Sequence, residues 1–164
     1  MKEDEHMLNR YDRQERVTVI GHDGQRRINA ATILIVGVGA LGSYAAEQLV
    51  RAGVGHLILV DPDTVSLTNL QRQALFTEAD VRDQALKVDA AKNHLQAINH
   101  HVEITAYPAA LDGDLLQTLT FDLVLDCLDN YGTRILINRA ALVERFDYIF
   151  ASCAGTFGTV MPIR

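Results

Sequence analysis

From residue 31 onward the chain alternates short apolar runs with longer amphipathic stretches. Runs of branched apolar residues are typical of strands in a largely buried parallel sheet, and here they predict strands at 33–36, 56–60, 102–106, 123–126 and 148–151. Apolar residues at helical spacing predict helices at 40–52, 84–99, 114–119 and 130–145. Strands that alternate with crossover helices indicate an α/β protein with a doubly wound, mostly parallel sheet of the Rossmann type.

The first 30 residues differ from this pattern. They are rich in charge and include an amphipathic segment, MLNRYDRQERV, that a minimal nucleotide-binding fold does not require. We therefore predict an N-terminal helical extension over residues 1–30 and one Rossmann-like domain over residues 31–164. The final residues, GTVMPIR, read as the start of another strand. We expect the chain to be the N-terminal part of a longer protein or a natural short form.

Three glycines follow the first predicted strand, in the sequence ILIVGVGALGS. Gly37 would allow a tight turn, Gly39 would let a phosphate approach the backbone, and Gly42 would let the next helix pack closely on the strand. Glycines at this spacing are a weak signal alone, but a strong one between a strand and a helix. The loop predicts a nucleotide site without identifying the nucleotide.

Carboxylates follow two other predicted strands, at the edge of the sheet where ligands collect in such folds. Asp61 lies 19 positions after Gly42, about where an acidic residue binds ribose hydroxyls. Asp63 is assigned to the turn or to a partner of the site. The motif DCLDN supplies Asp126 and Asp129. We expect one of this pair to cap the following helix and the other to be free for a metal ion.

The stretch TVSLTNLQRQALF, which follows Asp61, bears on the class of nucleotide. It crowds Asn69, Arg72 and Gln73 into a segment that should cross the nucleotide edge. A dinucleotide does not obviously need an arginine there. A triphosphate does, because its several negative charges must be held together during the reaction. The sequence therefore favours a nucleoside triphosphate over NAD.

Composition and charge narrow the classes of partner. With 164 residues, of which 48% are hydrophobic, the chain can bury the core of one globular domain. A formal net charge of −6 argues against a nucleic-acid surface. The absence of a long apolar stretch and the charged N-terminus predict a cytoplasmic protein without membrane attachment. Two cysteines suit a reducing compartment, and we expect both to be small buried residues.

Four motifs occur in a specific order: RYDRQ at 10–14, GVGALG at 37–42, DPDTVSLTNLQRQ at 61–73 and DCLDN at 126–130. In this the chain resembles the ThiF/MoeB/HesA adenylyltransferases, bacterial relatives of the ubiquitin-activating enzymes. The resemblance implies ATP and Mg²⁺ as cofactors and a homodimer. It also implies transfer of AMP to the C-terminal glycine carboxylate of a small ubiquitin-like sulfur carrier protein, of the molybdopterin or thiamine biosynthesis type, with release of pyrophosphate.

The resemblance also assigns site residues. It places the nucleotide against Gly37, Gly39, Ala40, Gly42, Asp61, Asn69, Arg72, Gln73 and Lys87. Asp61 would bind ribose, Arg72 the phosphates and Asp129 the magnesium ion, while Arg13 would reach into the partner subunit's site. Arg13, Arg72, Lys87 and Asp129 are the implied catalytic residues. Lys92 is the alternative to Lys87, because VRDQALK holds about two more residues than the family pattern.

Three other functions stay open at this point. A related tRNA-modifying dehydratase shares the glycine loop and the arginine chemistry, although NLQRQ and the acidic balance favour the sulfur-carrier enzyme. A non-catalytic nucleotide-binding module would not need Arg72, Asp129 and Arg13. A dinucleotide oxidoreductase is the most distant. The residues implied in adenylylation are present, but we do not assume that this chain is active alone.

Overall fold

The computed structural model describes residues 10–164. The first nine residues of the predicted extension lie outside this part. Its remainder contains two helices, α1 (Asp12–Glu15) and α2 (Gly21–Ala30). Tyr11 anchors it: its ring is buried against Gly53, where an added Cβ would overlap the ring, and its hydroxyl accepts a hydrogen bond from Asn99 Nδ2 at 2.9 Å. Residue 11, near the start of the described part, is thereby fixed to the C-terminal end of the helix that follows the glycine loop.

One six-stranded sheet forms the centre of the domain. In chain order its strands are β1 (Thr32–Val36), β2 (His56–Val60), β3 (Glu103–Tyr107), β4 (Leu123–Asp126), β5 (Tyr148–Ala154) and β6 (Phe157–Ile163). The order across the sheet is β3-β2-β1-β4-β5-β6. All neighbouring pairs are parallel except β5 and β6, which form an antiparallel hairpin. The predicted Rossmann-like, mostly parallel sheet is confirmed.

Helices cover both faces of this sheet. They are α3 (Ala40–Ala52), α4 (Glu78–Arg82), α5 (Lys87–Ile98), α6 (Gly113–Thr118) and α7 (Tyr131–Glu144). Successive residues of a strand point to opposite faces. Ile33 and Ile35 of β1 accordingly join a core with α3 and α5, whereas Leu34 and Val36 join one with α6 and α7. The two cores explain why β1 and β2, which are buried on both faces, are apolar along almost their whole length.

Two boundaries differ from the prediction by three residues: β5 continues to Ala154 beyond the predicted end at 151, and the second helix, predicted over 84–99, begins at Lys87. Gln84 has a positive φ of 51°, which no helical residue adopts, and Leu86 forms an isolated bridge with Thr64. Because Gln84 has this φ and Leu86 forms this bridge, residues 84–86 cannot also form the first turn of the helix. Val88, Ala91 and Leu95 of this helix are fully buried and Ile98 is half-buried against the same core, so these four residues form the apolar face of the helix.

Strand order explains why distant motifs meet. β1 lies between β2 and β4, with Val36 aligned with Val60 on one side and with Asp126 on the other. Chain connections run in opposite directions from β1, which makes this the topological switch point, where such sheets bind ligands. The loops after β1, β2 and β4 therefore leave the sheet side by side. Within residues 10–164, no helix is long and apolar enough to cross a membrane.

Candidate nucleotide site

A cleft of about 830 Å³ opens at the carboxyl ends of β1, β2 and β4, within the volume range of small-molecule sites. We call it the switch-point cleft. Nine of the eleven predicted site residues line it: Gly37, Gly39, Ala40, Asp61, Asn69, Arg72, Gln73, Lys87 and Asp129. The residues come from separate loops, so the fold and not sequence proximity brings them together. Gly42 and Arg13 do not line the cleft.

The glycine loop shapes one wall. Gly37 has a φ of +91°, and a Cβ added there would lie 2.9 Å from the Cys127 carbonyl oxygen. A Cβ at Gly42 would overlap the carbonyl oxygen of Gly37, so Gly42 serves the close packing of α3 on the loop. A Cβ at Gly39 would make only an ordinary 3.5 Å contact with Gln73 Nε2. Protein packing therefore demands Gly37 and Gly42, whereas Gly39 leaves space towards the cleft.

The N-terminus of α3 faces the same space. Its N-cap is Gly39, and no side chain of residues 10–164 accepts a hydrogen bond from the first turn of this 13-residue helix. The first N–H groups of a helix lack helical acceptors and carry the positive end of the helix dipole. An uncapped helix start beside a cleft is suited to bind an anion such as a phosphate.

Asp61 binds the backbone of the glycine loop through a hydrogen bond. It is 6% exposed, and its two carboxylate oxygens accept hydrogen bonds from Val38 N–H at 2.7 Å and from Asp63 N–H at 3.0 Å. Burial raises the pKa of Asp61 above its ordinary value of 3.8, although the two N–H groups and Lys87 act against this shift. Asp61 therefore positions the loop, a contribution that the ribose assignment did not include.

This pKa shift predicts a pH-dependent stability. An acid whose pKa is raised in the folded state stabilises the fold most below the unfolded value, and that stability is lost as pH rises through the folded pKa. We expect wild type to gain free energy of unfolding relative to Asp61→Asn as pH falls from about 7 to about 4. Urea denaturation of both proteins at each pH measures the difference. A difference that stays constant, or that moves against wild type at low pH, would contradict the shift.

Two basic residues enter the cleft in different states. Arg72 is exposed, donates to the Thr68 carbonyl oxygen at 3.1 Å, and forms no ion pair within the part of the chain that the structure describes. Lys87 is 6% exposed, and its Nζ lies 2.7 Å from Asp63 Oδ2. Lys92 does not line the cleft. Geometry thus places Lys87, and not its alternative, beside the other predicted groups.

The three polar residues of the DCLDN motif have different roles from those that we predicted. We expected Asp126 or Asp129 to cap the following helix, and this is wrong: Asn130 caps α7, accepting a hydrogen bond from Thr133 N–H at 3.0 Å. Asp126 is fully buried, and burial raises its pKa above the ordinary value although Leu128 N–H and Arg134 act against the shift. Asp129 is exposed in the cleft and has no hydrogen bond among the described residues. It is the carboxylate that stays free for a ligand.

Gln73 supplies a second indication that the cleft takes a ligand. Its side chain is 4% exposed, yet its Oε1 has no hydrogen-bond partner in the described part of the chain. Buried polar atoms are nearly always satisfied, so an unpartnered one at a cleft wall points to a missing donor. Asn69, by contrast, uses its Oδ1 to accept from Ser66 N–H at 3.0 Å, which stabilises the turn that carries Arg72.

Arg13 lies apart from these residues. Its side chain is 85% exposed, and its only ion pair among residues 10–164 is a 3.8 Å contact with Asp12. It lies two residues from Tyr11, whose burial fixes the local backbone. Arg13 is therefore exposed to solvent and lies outside the cleft of its own chain.

Sequence reasoning missed Arg134. This residue lines the cleft, is 8% exposed, and contacts Asp126 Oδ2 at 3.3 Å. The pattern held a signal, because Arg134 shares the buried face of α7 with Ile137 and Ala141, at helical spacing. An arginine at a core position needs a buried acceptor, and Asp126 was already a candidate.

Neither cysteine is as buried as we expected, and Cys127 is half-buried. Burial raises the pKa of Cys127 to about 12, so its thiol is protonated at neutral pH and is a poor nucleophile. Cys153 was expected to be buried, and this is wrong: it is exposed near the end of β5, where the strand pairs only with the exposed β6.

Comparisons with known proteins agree with this geometry. The model of the ThiF family matches residues 11–164. The sulfur carrier protein ThiS adenylyltransferase of Bacillus subtilis is 40% identical over 161 residues, which are 95% of this chain and 48% of the relative. The molybdopterin-synthase adenylyltransferase of Escherichia coli is 46% identical over 148 residues, 89% of this chain and 58% of that protein. The chain thus spans about half the length of these relatives.

Solved structures show the same likeness in three dimensions. A crystal structure of Escherichia coli MccB with ATP has a TM-score of 0.78 and 26% identity, covering 85% of this chain and 42% of that chain. A further MccB structure, with MccA-N7isoASN, has a TM-score of 0.82 and 25% identity, covering 93% of this chain and 46% of that one. Motif order, sheet topology and the match over residues 11–164 agree: the chain belongs to the ThiF family.

Proposed function

We propose that the complete protein adenylylates the C-terminal glycine carboxylate of a small ubiquitin-like sulfur carrier protein, using ATP and releasing pyrophosphate. One observation carries the proposal: the N-terminus of α3, the exposed Arg72 and the buried Lys87 all line one cleft, and among residues 10–164 no carboxylate pairs with Arg72 and no side chain caps α3. These are anion-binding groups, as a triphosphate requires. The names of the relatives support the carrier as the second substrate.

The reaction needs charge control more than proton transfer. A free carboxylate has a pKa near 4, so at neutral pH the nucleophile is already an anion. The obstacle is its repulsion from the phosphates, and fixed cations around the reacting group reduce that repulsion. We assign this reduction of charge repulsion to Arg72 and Lys87, which both line the cleft. No histidine lines the cleft among the described residues, which fits a reaction without a general base.

The residues present also fit Mg²⁺. Magnesium is commonly held by one or two carboxylates together with phosphate oxygens and water, and when bound it neutralises phosphate charge. Asp129 offers one exposed carboxylate in the cleft. Over residues 10–164, no group of three His, Cys, Asp or Glu side chains converges as a metal site. We therefore assign the protein's share of a magnesium site to Asp129, with nucleotide oxygens completing it.

Nucleotide choice tests this proposal. Isothermal titration calorimetry should show that ATP with Mg²⁺ binds more tightly than NAD, because Arg72 and Lys87 match a triphosphate. Arg72→Ala should weaken ATP binding more than AMP binding, because Arg72 is assigned to the phosphates that AMP lacks. Tighter binding of NAD would overturn the adenylylation proposal. An equal loss of affinity for ATP and AMP would contradict only the assignment of Arg72 to the phosphates, and not the adenylylation proposal.

We further propose a homodimer in which Arg13 completes the cleft of the other subunit. Its 85% exposure, outside its own cleft and beside the anchored Tyr11, supports this role. An arginine donated from another chain can stabilise charge during phosphate transfer. Large apolar side chains exposed on α7 and β6 offer surface for association: Tyr131, Leu142, Phe157 and Val160.

Mixing two inactive variants tests the shared site. Arg13→Ala and Asp129→Ala should each be inactive, yet exchange of subunits between them should restore activity. Some mixed dimers then combine an intact Arg13 with an intact Asp129 at one of their two sites. Activity is measured as carrier-dependent exchange of pyrophosphate into ATP, and subunit exchange is verified with differently tagged chains. If mixing restores nothing although subunits exchange, Arg13 does not act across the interface.

A further inference from the structure

Leu128 is held by hydrogen bonds on both of its backbone polar groups. Its N–H donates to Asp126 Oδ1 at 3.2 Å, and its carbonyl oxygen accepts from Arg134 Nη2. Arg134 and Asp126 also contact each other, at 3.3 Å between Nη1 and Oδ2. The three residues form a closed ring of contacts. Leu128 immediately precedes Asp129, so this ring fixes the backbone from which the Asp129 side chain projects.

The other neighbour of Asp129 is fixed as well. Asn130 is the N-cap of α7, and its Oδ1 accepts from Thr133 N–H at 3.0 Å. Asp129 therefore lies between a residue bound to the buried pair and a residue bound to the helix start. Its own carboxylate has no hydrogen bond among the described residues. The local structure thus restrains the backbone on both sides of this carboxylate while leaving its oxygens available.

Arg134 is suited to this task by its shape. Its guanidinium reaches three acceptors at once: Asp126, the Leu128 carbonyl oxygen, and the Ala151 carbonyl oxygen at 2.9 Å. Its Cζ lies 4.3 Å from the centre of the Phe150 ring. A planar fork with five N–H donors can satisfy acceptors in several directions, which a lysine ammonium on a flexible stem does less well. The contacts join the end of β4 to the middle of β5 at the wall of the cleft.

We propose that Arg134 and Asp126 are positioning residues that orient the Asp129 carboxylate for the Mg²⁺ that accompanies the nucleotide. This inference rests on the proposed function, because it takes Asp129 as the magnesium ligand. Residues that orient metal ligands commonly affect metal affinity by 10- to 100-fold. The Arg134–Asp126 pair therefore sets the affinity for Mg²⁺ without touching the ion.

Metal binding separates this role from a purely structural one. In the complete protein, ATP binding is titrated by calorimetry at increasing Mg²⁺ concentration, for wild type, Arg134→Lys and Arg139→Lys. Arg139 is exposed on the same helix and outside the cleft, which makes it the matched control. We expect Arg134→Lys to raise the half-saturating Mg²⁺ concentration by about 10-fold or more, and Arg139→Lys to leave it unchanged.

A double-mutant cycle shows whether the effect passes through Asp129. In an Asp129→Asn background, Arg134→Lys should cause no further change in Mg²⁺ dependence. An unchanged Mg²⁺ dependence in folded Arg134→Lys would overturn the inference, as would a full effect that persists without Asp129. If the single variant Asp129→Asn shows the same Mg²⁺ dependence as wild type, Asp129 is not the magnesium ligand, and the proposed function's magnesium assignment is the part that fails. Circular dichroism verifies folding, and Asp126→Asn takes the place of Arg134→Lys if that variant does not fold.

Discussion

Asp129→Asn is expected to reduce carrier-dependent exchange of pyrophosphate into ATP by at least about 100-fold in the complete protein. The substitution preserves size but removes the charge of an exposed carboxylate with no hydrogen bond among the described residues. The fold therefore loses no contact that the structure shows, whereas the magnesium ion loses the only ligand that we assign to the protein. Exchange of labelled pyrophosphate at saturating ATP measures the effect, and thermal unfolding verifies the fold.

Asp114→Asn is the control for this substitution. Asp114 is an exposed aspartate of α6 that does not line the cleft, so its variant should exchange pyrophosphate as wild type does. Asp126 is not a substitute ligand, because it is fully buried and engaged by Arg134 and Leu128. If Asp129→Asn exchanges pyrophosphate at a near wild-type rate, neither carboxylate of the DCLDN motif is the magnesium ligand, and the assignment is contradicted.

Lys87→Met should lower the exchange rate by about 100-fold or more, comparable to removing one preorganised donor from a reacting oxyanion. Lys87 places a buried positive charge at the cleft wall, 2.7 Å from Asp63. Methionine keeps much of the apolar stem. The Asp63 side chain is 64% exposed, so water can solvate it after the ion pair is lost. We therefore expect a large loss of activity with a small change in unfolding temperature.

Lys92→Met is the matched control, because Lys92 belongs to the same helix but lies outside the cleft. It should retain nearly full exchange activity. This pair of variants also decides between the two lysines that the sequence left as alternatives. Equal losses in both variants, or a larger loss in Lys92→Met, would contradict the assignment of Lys87.

Much of the cleft could be predicted because parallel strands end at one edge of a sheet. The sequence placed glycines after β1, Asp61 after β2 and Asp129 after β4. Once those strands are neighbours, their loops must meet, whatever the details of side-chain packing. β1 and β2 were predictable because they are buried on both faces and form continuous apolar runs.

The parts that could not be predicted depend on a shift of one residue or on non-local pairing. The helix cap fell to Asn130 because α7 begins at Tyr131, and a boundary error of one residue would change the capping side chain. Lys87 meets Asp63 because Thr64 bridges Leu86. Arg134 reaches the Ala151 carbonyl oxygen because β5 pairs with β4. Such contacts can be identified only from the tertiary structure.

Pyrophosphate exchange with a matched pair of carriers tests the central claim most directly. The complete protein is incubated with ATP, Mg²⁺, labelled pyrophosphate and a ubiquitin-like sulfur carrier whose C-terminal glycine carboxylate is either free or amidated. We predict that label enters ATP only with the free carboxylate, because only that carrier can form the acyl adenylate whose reversal regenerates ATP. Equal incorporation with the amidated carrier, or none with the free one, would contradict adenylylation of the carrier.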